Sequence, residues 1–434
     1  MIFIDKIKKI LEYLPSYPHY KMNIFCGTNN LQEITSAFRL LKNGASVSGS
    51  CINEYERILK DKLKSKYIYT FASGRMGFYS ILKIVGVKKG DEVIIPSFTC
   101  VVVPNAILYC DAKPIYCDIN KDDFNINLSK IESLITPNTK ILYAQHTFGQ
   151  MCDISSIMDL AKKYNLIVVE DAALSLGAKL DRYYSGTIAD FGYFSTDRSK
   201  IVNTGLGGIV SVNNAIYVDK FIKYYADVPY VGERYTRKIF YTFILNLITL
   251  HPYLYWLGKF INAILTKLNI MKYFLDEKIT DKAEILDYPY PSKLSNIFAS
   301  IGVTQIIGLN YNIKSRKKIA NFYNEILKIY TNHYIYNEEN VFLRYGFLVK
   351  NRDYWETRFA KNIDLSIWFK TVASGRQTDF NQIYYKVGSN VVSEYVCDHI
   401  FNLPTHNLIS PERLKVLLVE LKNSGDIITK ERVL

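Results

Sequence analysis

The 434-residue chain lacks the arrangements that would mark it as built around a metal or around disulfides. Its seven cysteines, Cys26, Cys51, Cys100, Cys110, Cys117, Cys152 and Cys397, form no C-x-x-C pair and follow no regular spacing. Neither a zinc site nor a disulfide framework is therefore indicated, and a reducing, cytoplasmic setting is expected. The stretch Met1-Ile-Phe-Ile-Asp-Lys-Ile-Lys-Lys-Ile10 places charges inside its apolar run and has no small-residue cleavage site. It reads as a short amphipathic helix rather than a secretory signal. Internal repeats and low-complexity tracts are missing too. Acidic residues are in deficit: 41 Asp and Glu face 54 Lys and Arg, and the formal charge is +13. Such a balance suits nucleic acid, an anionic membrane surface or an anionic small substrate. The cations are scattered, without the interleaved aromatic and basic motifs of nucleic-acid modules, so nucleic acid is not expected as a partner.

With 49% hydrophobic residues the chain can bury a large core, and its length suggests two or three domains. From about residue 70 to 215, short β-rich runs alternate with helical patterns. Asp91 to Pro96 precedes a helical Val101 to Tyr109, and Pro114 to Asp118 precedes Leu128 to Leu134. Ile141 to Ala144, the helical Ile154 to Tyr164 and the apolar Leu166 to Glu170 follow. These are βα units on a mainly parallel sheet, whose strands are covered on both faces and read as continuous apolar runs. Ligands on such sheets bind beyond the carboxyl ends of the strands. A smaller C-terminal α+β domain is expected from residue 311 to 434, after a large domain of residues 1–310. It would begin with the basic helical segment Lys314 to Tyr330 and close with an amphipathic helix over Pro411 to Asn423.

From Ile239 to Gly258 there is no Asp, Glu, Lys or Arg. About 20 such residues would span a bilayer, but Asn246, His251 and Pro252 interrupt this stretch, and Pro252 should break a helix. Two helices are expected, one with Phe240, Phe243, Ile244, Leu247 and Ile248 on a face, the other with Leu257, Phe260, Ile261, Ile264 and Leu268. Packing against the body or a second subunit and lying on a membrane surface are both open for residues 236–270.

Three pieces carry chemistry. In Ala72-Ser-Gly-Arg-Met76, a small Ser73-Gly74 turn precedes the helical Phe78 to Val85 and would present backbone N–H groups and the positive helix end to a phosphate; a plain helix cap has the same look. In Val169-Glu-Asp-Ala-Ala173, Asp171 follows a buried-type strand, where a carboxylate is costly unless something charged, for instance a pyridinium nitrogen, meets it; alone it also fits a helix N-cap. In Phe194-Ser-Thr-Asp-Arg-Ser-Lys200, the lysine follows a polar turn after the strand-like Asp190 to Phe194 and precedes Gly205, Gly207 and Gly208. Its spacing from Asp171 sets it apart from a surface lysine.

In this order the pieces resemble the sugar-nucleotide aminotransferase family, the DegT/DnrJ/StrS type, within fold type I of the pyridoxal 5'-phosphate (PLP) enzymes. Further blocks agree: Lys89 to Thr99, Asn105 to Leu108, Leu134 to Lys140, His146 to Gln150, Gly177-Ala178 and the closing Asn402-Leu-Pro-Thr-His406. The likeness covers roughly residues 65 to 213 and 290 to 425. It implies an α/β fold, PLP bound through Lys200, Asp171 at the pyridine nitrogen, and Ser195 with Gly74 and Arg75 around the phosphate. It further implies ping-pong transfer of an amino group from glutamate to a nucleotide-diphosphate-linked keto-sugar, for a surface polysaccharide or glycan, in a homodimer. The chain departs from the family at several points. Cys100 takes the place of the aromatic that stacks on the cofactor ring, Leu174 that of a Gln or His, and Leu206 that of a Glu. Lys200 is followed by Ile201-Val-Asn, and Pro291 and Lys293 stand where a neighbouring subunit's Asn and Arg are usual. These changes motivate an alternative, a catalytically weak relative acting as a membrane-peripheral scaffold. An insertion between Val212 and Pro291, about 214–290, is also atypical.

Overall fold

The computed structural model describes residues 20–25, 27–271, 288–329, 339–373 and 379–429. The helix expected over residues 1–10 lies outside them. Helices α1 (Leu31–Lys42) and α2 (Ser50–Leu63) lead into a seven-stranded sheet. Its strands are β1 (Ile68–Phe71), β2 (Glu92–Pro96), β3 (Lys113–Cys117), β4 (Thr139–Gln145), β5 (Ile167–Asp171), β8 (Phe191–Ser195) and β9 (Gly208–Val212), in the order β1-β9-β8-β5-β4-β2-β3. The strands from β8 to β3 run parallel, and β9 is antiparallel to both its neighbours. Between β5 and β8 lies a small hairpin of β6 (Lys179–Leu180) and β7 (Tyr183–Tyr184). Helices α3 (Gly74–Val85), α4 (Val102–Leu108) and α5 (Ile154–Tyr164) make the crossovers. The predicted runs thus become strands and helices with boundaries shifted by a residue or two, because continuous apolar sequence is what a strand covered on both faces requires.

Register fixes the site. Gln145 pairs with Asp171 and Asp171 with Tyr193, so the ends of β4, β5 and β8 lie side by side. Successive strand residues point to opposite faces, which separates Glu170 from Asp171. Glu170 accepts the backbone N–H groups of Gly186, Ile188 and Ala189, each at 2.7 Å, and meets His146 Nε2 at 3.0 Å. His146 Nδ1 accepts the Cys152 N–H, which leaves Nε2 to carry the proton toward Glu170. One buried carboxylate therefore ties the loop before β8 to the end of β4.

After β9 come α6 (Val218–Asp227), α7 (Glu233–Thr249) and α8 (Tyr255–Lys267). The charge-free stretch is two helices with Pro252 in the turn between them, as its proline requires. They run antiparallel: Lys238 donates to Asn269 Oδ1 at 2.8 Å, Asn262 to Asn246 Oδ1 at 3.0 Å, and Thr249 to Asn262 Oδ1 at 2.9 Å. Gly258 lets them touch, since a Cβ there would fall 1.6 Å from the Thr249 carbonyl oxygen. Among the described residues no helix is long and apolar enough to cross a membrane.

Helices α9 (Asn296–Ile307) and α10 (Leu309–Leu327) lead to a second, antiparallel sheet. There β10 (Arg344–Val349) lies between β11 (Ile400–Pro404) and β12 (Ile427–Ile428). It is flanked by α11 (Arg352–Phe359), α12 (Val391–His399) and α13 (Lys415–Asn423). The Asn402 to His406 motif is structural. Tyr323 of α10 donates to the Pro404 carbonyl at 3.0 Å, and His406 Nε2 donates to the Asn23 carbonyl at 2.6 Å while Nδ1 accepts the Leu408 N–H.

Burial, reinforced by the nearby Arg316 charge, pushes His406 down to about 3. A histidine whose folded pKa lies below its unfolded one stabilises fully above the unfolded value near 6.5, and that contribution disappears as pH falls through the folded one. Wild type should lose up to roughly 5 kcal/mol from this group between about pH 6.5 and 3. Glu33, whose carboxyl burial raises to about 7, acts with the opposite sign. The measurement is therefore the difference in unfolding free energy between wild type and His406→Asn across the window: it should narrow steadily on acidification, and a constant difference would refute the assignment.

Candidate active site

A cavity of about 420 Å³ opens beyond the carboxyl ends of β4, β5 and β8, and all six residues expected at a cofactor site line it: Gly74, Arg75, Cys100, Asp171, Ser195 and Lys200. Each is brought there by a local rule. Ser73, in extended conformation, caps α3, its Oγ accepting the Met76 N–H at 3.4 Å, so the start of that helix faces the cavity. Gly74 is favoured by close approach: a Cβ there would lie a tight 3.1 Å from the Phe194 carbonyl oxygen and from Ser195 Cβ. Gly208 is required, since its Cβ would fall 2.3 Å from the Ser73 carbonyl carbon and 2.4 Å from Gly74 N. The Ser73-Gly74 turn can therefore sit directly against Ser195 and the start of β9.

Asp171 is 5% exposed, and its carboxylate is held from two sides. Oδ2 accepts the Tyr143 hydroxyl at 2.5 Å and Oδ1 accepts the Ala173 N–H at 2.9 Å. Tyr143 and Tyr193 join their hydroxyls; because Tyr143 spends its proton on Asp171, Tyr193 donates to Tyr143. Burial, then the Asp171 charge, pushes both phenols well above their ordinary range and keeps them neutral donors. Phe78 braces the pair, stacked on Tyr193 and edge-on to Tyr143.

Lys200 ends a tight loop after β8, with its N–H on the Asp197 carbonyl at 2.9 Å. The loop is pinned by Thr196 and Thr204, whose hydroxyls meet at 2.7 Å, and by Asn312, which donates to the Ile201 carbonyl at 2.6 Å. Gly207 makes room for that closure, its Cβ position lying 2.3 Å from Thr196 Oγ1. The ammonium stands 4.8 Å from the Trp368 ring centroid. Burial lowers the Lys200 pKa, and the Asp171 carboxylate opposes that as the next largest influence. Cys100 has its thiol raised by burial, so it is a neutral, compact wall. Leu174 and Leu206 add apolar surface.

Several lining residues were not foreseen from sequence. Thr99 donates to Gln145 at 2.6 Å, and Gln145 donates to the Phe98 carbonyl, which fixes the wall beside Cys100. Trp368 and Phe369 come from far along the chain and close the cavity, their rings stacked on one another at 5.9 Å. Asn402 donates to the Trp368 carbonyl, and the Arg344 guanidinium lies 4.4 Å from the Trp368 ring centroid. Arg344 is buried and donates to the Leu365 carbonyl and to Asn402; burial lowers it to about 9. Tyr143 and Tyr193 lie in runs that the sequence marks as strands, but only strand register shows them converging on Asp171. Lys293, aligned where a neighbour's arginine is usual, folds back over the Tyr225 and Tyr230 rings of its own chain and donates to the Ala226 carbonyl.

The model of the DegT/DnrJ/EryC1/StrS aminotransferase family matches residues 28–240 and 266–421. The unmatched residues 241–265 fall in α7 and α8, within the stretch between Val212 and Pro291. Among curated proteins, the chain is 37% identical over 166 residues to GDP-perosamine synthase of Caulobacter vibrioides, covering 38% of this chain and 45% of that protein. It is 33% identical over 177 residues to UDP-2-acetamido-2-deoxy-3-oxo-D-glucuronate aminotransferase of Pseudomonas aeruginosa, covering 41% and 49%. The chain thus spans about half the length of the curated relatives it matches. Its fold is that of NtdA from Bacillus subtilis, solved with bound cofactor PMP: the TM-score is 0.69 at 22% identity, over 91% of this chain and 83% of that one.

The opposed influences on Lys200 give a test. In Asp171→Asn the charge that raises the amine is gone and burial acts alone, so the Lys200 pKa should fall further. Mass spectrometry of trinitrobenzenesulfonate labelling against pH should show the Lys200 profile moved to lower pH in that variant. An unmoved profile would mean that the two groups do not interact.

Proposed function

The chain belongs to the DegT/DnrJ/EryC1/StrS aminotransferase family, and from that premise we propose that it is a PLP-dependent aminotransferase moving an amino group from glutamate to a nucleotide-diphosphate-linked keto-sugar. The observation that carries this reading is the meeting of Lys200, Asp171 and the Ser73-Gly74 helix start in one cavity. The residues present fit the cofactor: an amine of lowered pKa, a buried carboxylate held by neutral donors, and a helix start that Gly74 and Gly208 let pack close against Ser195 at the cavity. PLP, when bound, supplies an aldehyde that amines capture and a ring that draws electrons from the bonds next to the captured nitrogen.

The chain's own residues would do the rest. Lys200 would hold the cofactor and, once displaced by the donor amine, move a proton, a role helped by the neutral fraction that burial gives it. Asp171 would keep a pyridine nitrogen protonated, and the Tyr143 and Tyr193 hydroxyls hold that carboxylate in place without adding charge. Ser73, Gly74, Arg75 and Ser195 would take the phosphate at the start of α3, where N–H groups and the helix dipole favour an anion. Trp368 and Phe369 would exclude water, and Cys100 and Leu174 would offer compact, uncharged contact. The relatives' names, a GDP-sugar synthase and a UDP-sugar aminotransferase, support a nucleotide sugar as acceptor. A homodimer and a place in surface-polysaccharide synthesis belong to the same reading. We divide the chain near residue 310, with residues 20–25 riding on the smaller unit, since Met22 exchanges backbone hydrogen bonds with Asn362 and Asp364.

The experiment is the absorbance spectrum of purified protein with added PLP, before and after glutamate. Wild type should gain a visible band that glutamate bleaches, and Lys200→Ala should not. Asp171→Asn should retain binding but lose about 10²- to 10³-fold in kcat, the scale of removing one partner from a buried charge pair. A wild type that takes up no PLP, or takes it up and ignores glutamate, would leave the family likeness as ancestry alone.

A further inference from the structure

The α7–α8 hairpin falls largely in the stretch that the family model does not match, and its outer surface is unlike the rest of the molecule. Leu257, Phe260, Ile261, Ile264 and Leu268 follow one another at helical spacing along α8, and every one is exposed, Phe260 to 55% and Leu268 to 62%. On α7, Tyr241 and Ile248 are exposed as well, and Tyr241, Ile244 and Leu245 share a groove with Ile270 and with Arg234, Arg237 and Lys238. The opposite face of α7 is committed to the body, where Phe240 meets Phe38 edge-on and Phe243 packs against Gly205. The inner side of α8 is fixed by Tyr255 and Lys259, both bonded to Asp364. The outward apolar face is thus held rigidly in place, with nothing among the described residues packed over it.

From Arg234 to Met271 there are five cations and no Asp or Glu. Arg237 pairs with Glu233 at 2.7 Å and Lys259 with Asp364 at 2.6 Å, while Arg234, Lys238 and Lys267 have no ion pair among the described residues, so the hairpin keeps a net positive charge. A two-fold contact between copies would set this patch against itself and bring like charges together. An anionic bilayer surface reverses that sign. Its headgroups attract the cations while the boundary of its acyl region accepts the exposed apolar row, with the exposed Tyr241 and Tyr253 at the level where aromatic rings settle. Tyr20 packs edge-on against Tyr253, and the Lys21 N–H donates to the Pro252 carbonyl at 3.0 Å, so Lys21 is held at the hairpin turn as a further cation.

We propose that the outer face of the α7–α8 hairpin docks this protein in the plane of an anionic lipid bilayer, without crossing it. The proposal does not rest on the aminotransferase reading. The test is flotation of the full chain with vesicles of phosphatidylcholine and phosphatidylglycerol in equal parts, against phosphatidylcholine alone. Wild type should float with the anionic vesicles, bind the neutral ones far less, and be released progressively by salt. The pair Phe260→Asp and Ile264→Asp, placed on exposed positions, should abolish flotation with the circular dichroism unchanged. Arg234→Gln with Lys267→Gln should weaken binding by about fivefold for each cation removed. Wild type that does not float overturns the proposal, and so does an aspartate pair that floats as well as wild type. If sedimentation instead shows an oligomer that the aspartate pair dissociates, with no vesicle binding, a second copy covers the face and the proposal falls.

Discussion

Everything in the cavity is arranged around a negative charge kept out of water at the end of β5. A lone buried carboxylate would take up a proton or shed its strand's stability. Asp171 is held by the Tyr143 hydroxyl on one oxygen and the Ala173 N–H on the other, with Tyr193 supporting Tyr143 in turn. All of these donors are neutral, so the negative charge is held but not cancelled. It remains available to a cation entering the cavity and already acts on Lys200, the nearest one the chain provides.

Neighbouring Glu170 shows the same chemistry put to another use. One step along the strand it points to the opposite face, and there it collects three backbone N–H groups and the His146 proton. Two adjacent acids at the end of one strand thus divide the labour. Glu170 shapes the loop leading into β8, and β8 carries Ser195 and the start of the Lys200 loop to the charge that Asp171 supplies.

The far wall depends on the second sheet. Trp368 and Phe369 reach the cavity because Asn402 on β11 and Arg344 on β10 hold the Trp368 backbone and ring. Arg344 and Arg316 are both buried, and their bonds are to carbonyl, amide and hydroxyl oxygens rather than carboxylates. Hydrogen bonds offset part of their cost, Arg344 Nη2 finding no partner among the described residues, and Arg344 adds a cation–π contact that stiffens the aromatic wall. The α7–α8 hairpin meets the same region from outside: Phe243 presses on Gly205, so the insertion braces the loop that presents Lys200 while turning its other side to solvent.

Local chemistry made much of this legible without coordinates. Apolar runs such as Leu166 to Glu170 specify buried parallel strands, Pro252 forces the hairpin turn, and Ser73-Gly74 before an apolar helical pattern marks a capped helix start. The order of Gly74, Asp171 and Lys200, together with the family resemblance that brought in Ser195, was enough to suggest the cavity at the strand ends where ligands of a parallel sheet gather. Strand register and long-range packing decided the remainder. That Tyr143 and Tyr193 meet at Asp171 depends on which residues pair across β4, β5 and β8. That Trp368, some 170 positions beyond Lys200, closes the site depends on where the second sheet docks. Likewise, periodicity defined the apolar face of α8 but not its direction. Only the anchoring of Tyr255 and Lys259 on Asp364 turned Leu257, Phe260 and Ile264 outward, because a helix rotates as one body and burying one flank determines which flank remains exposed.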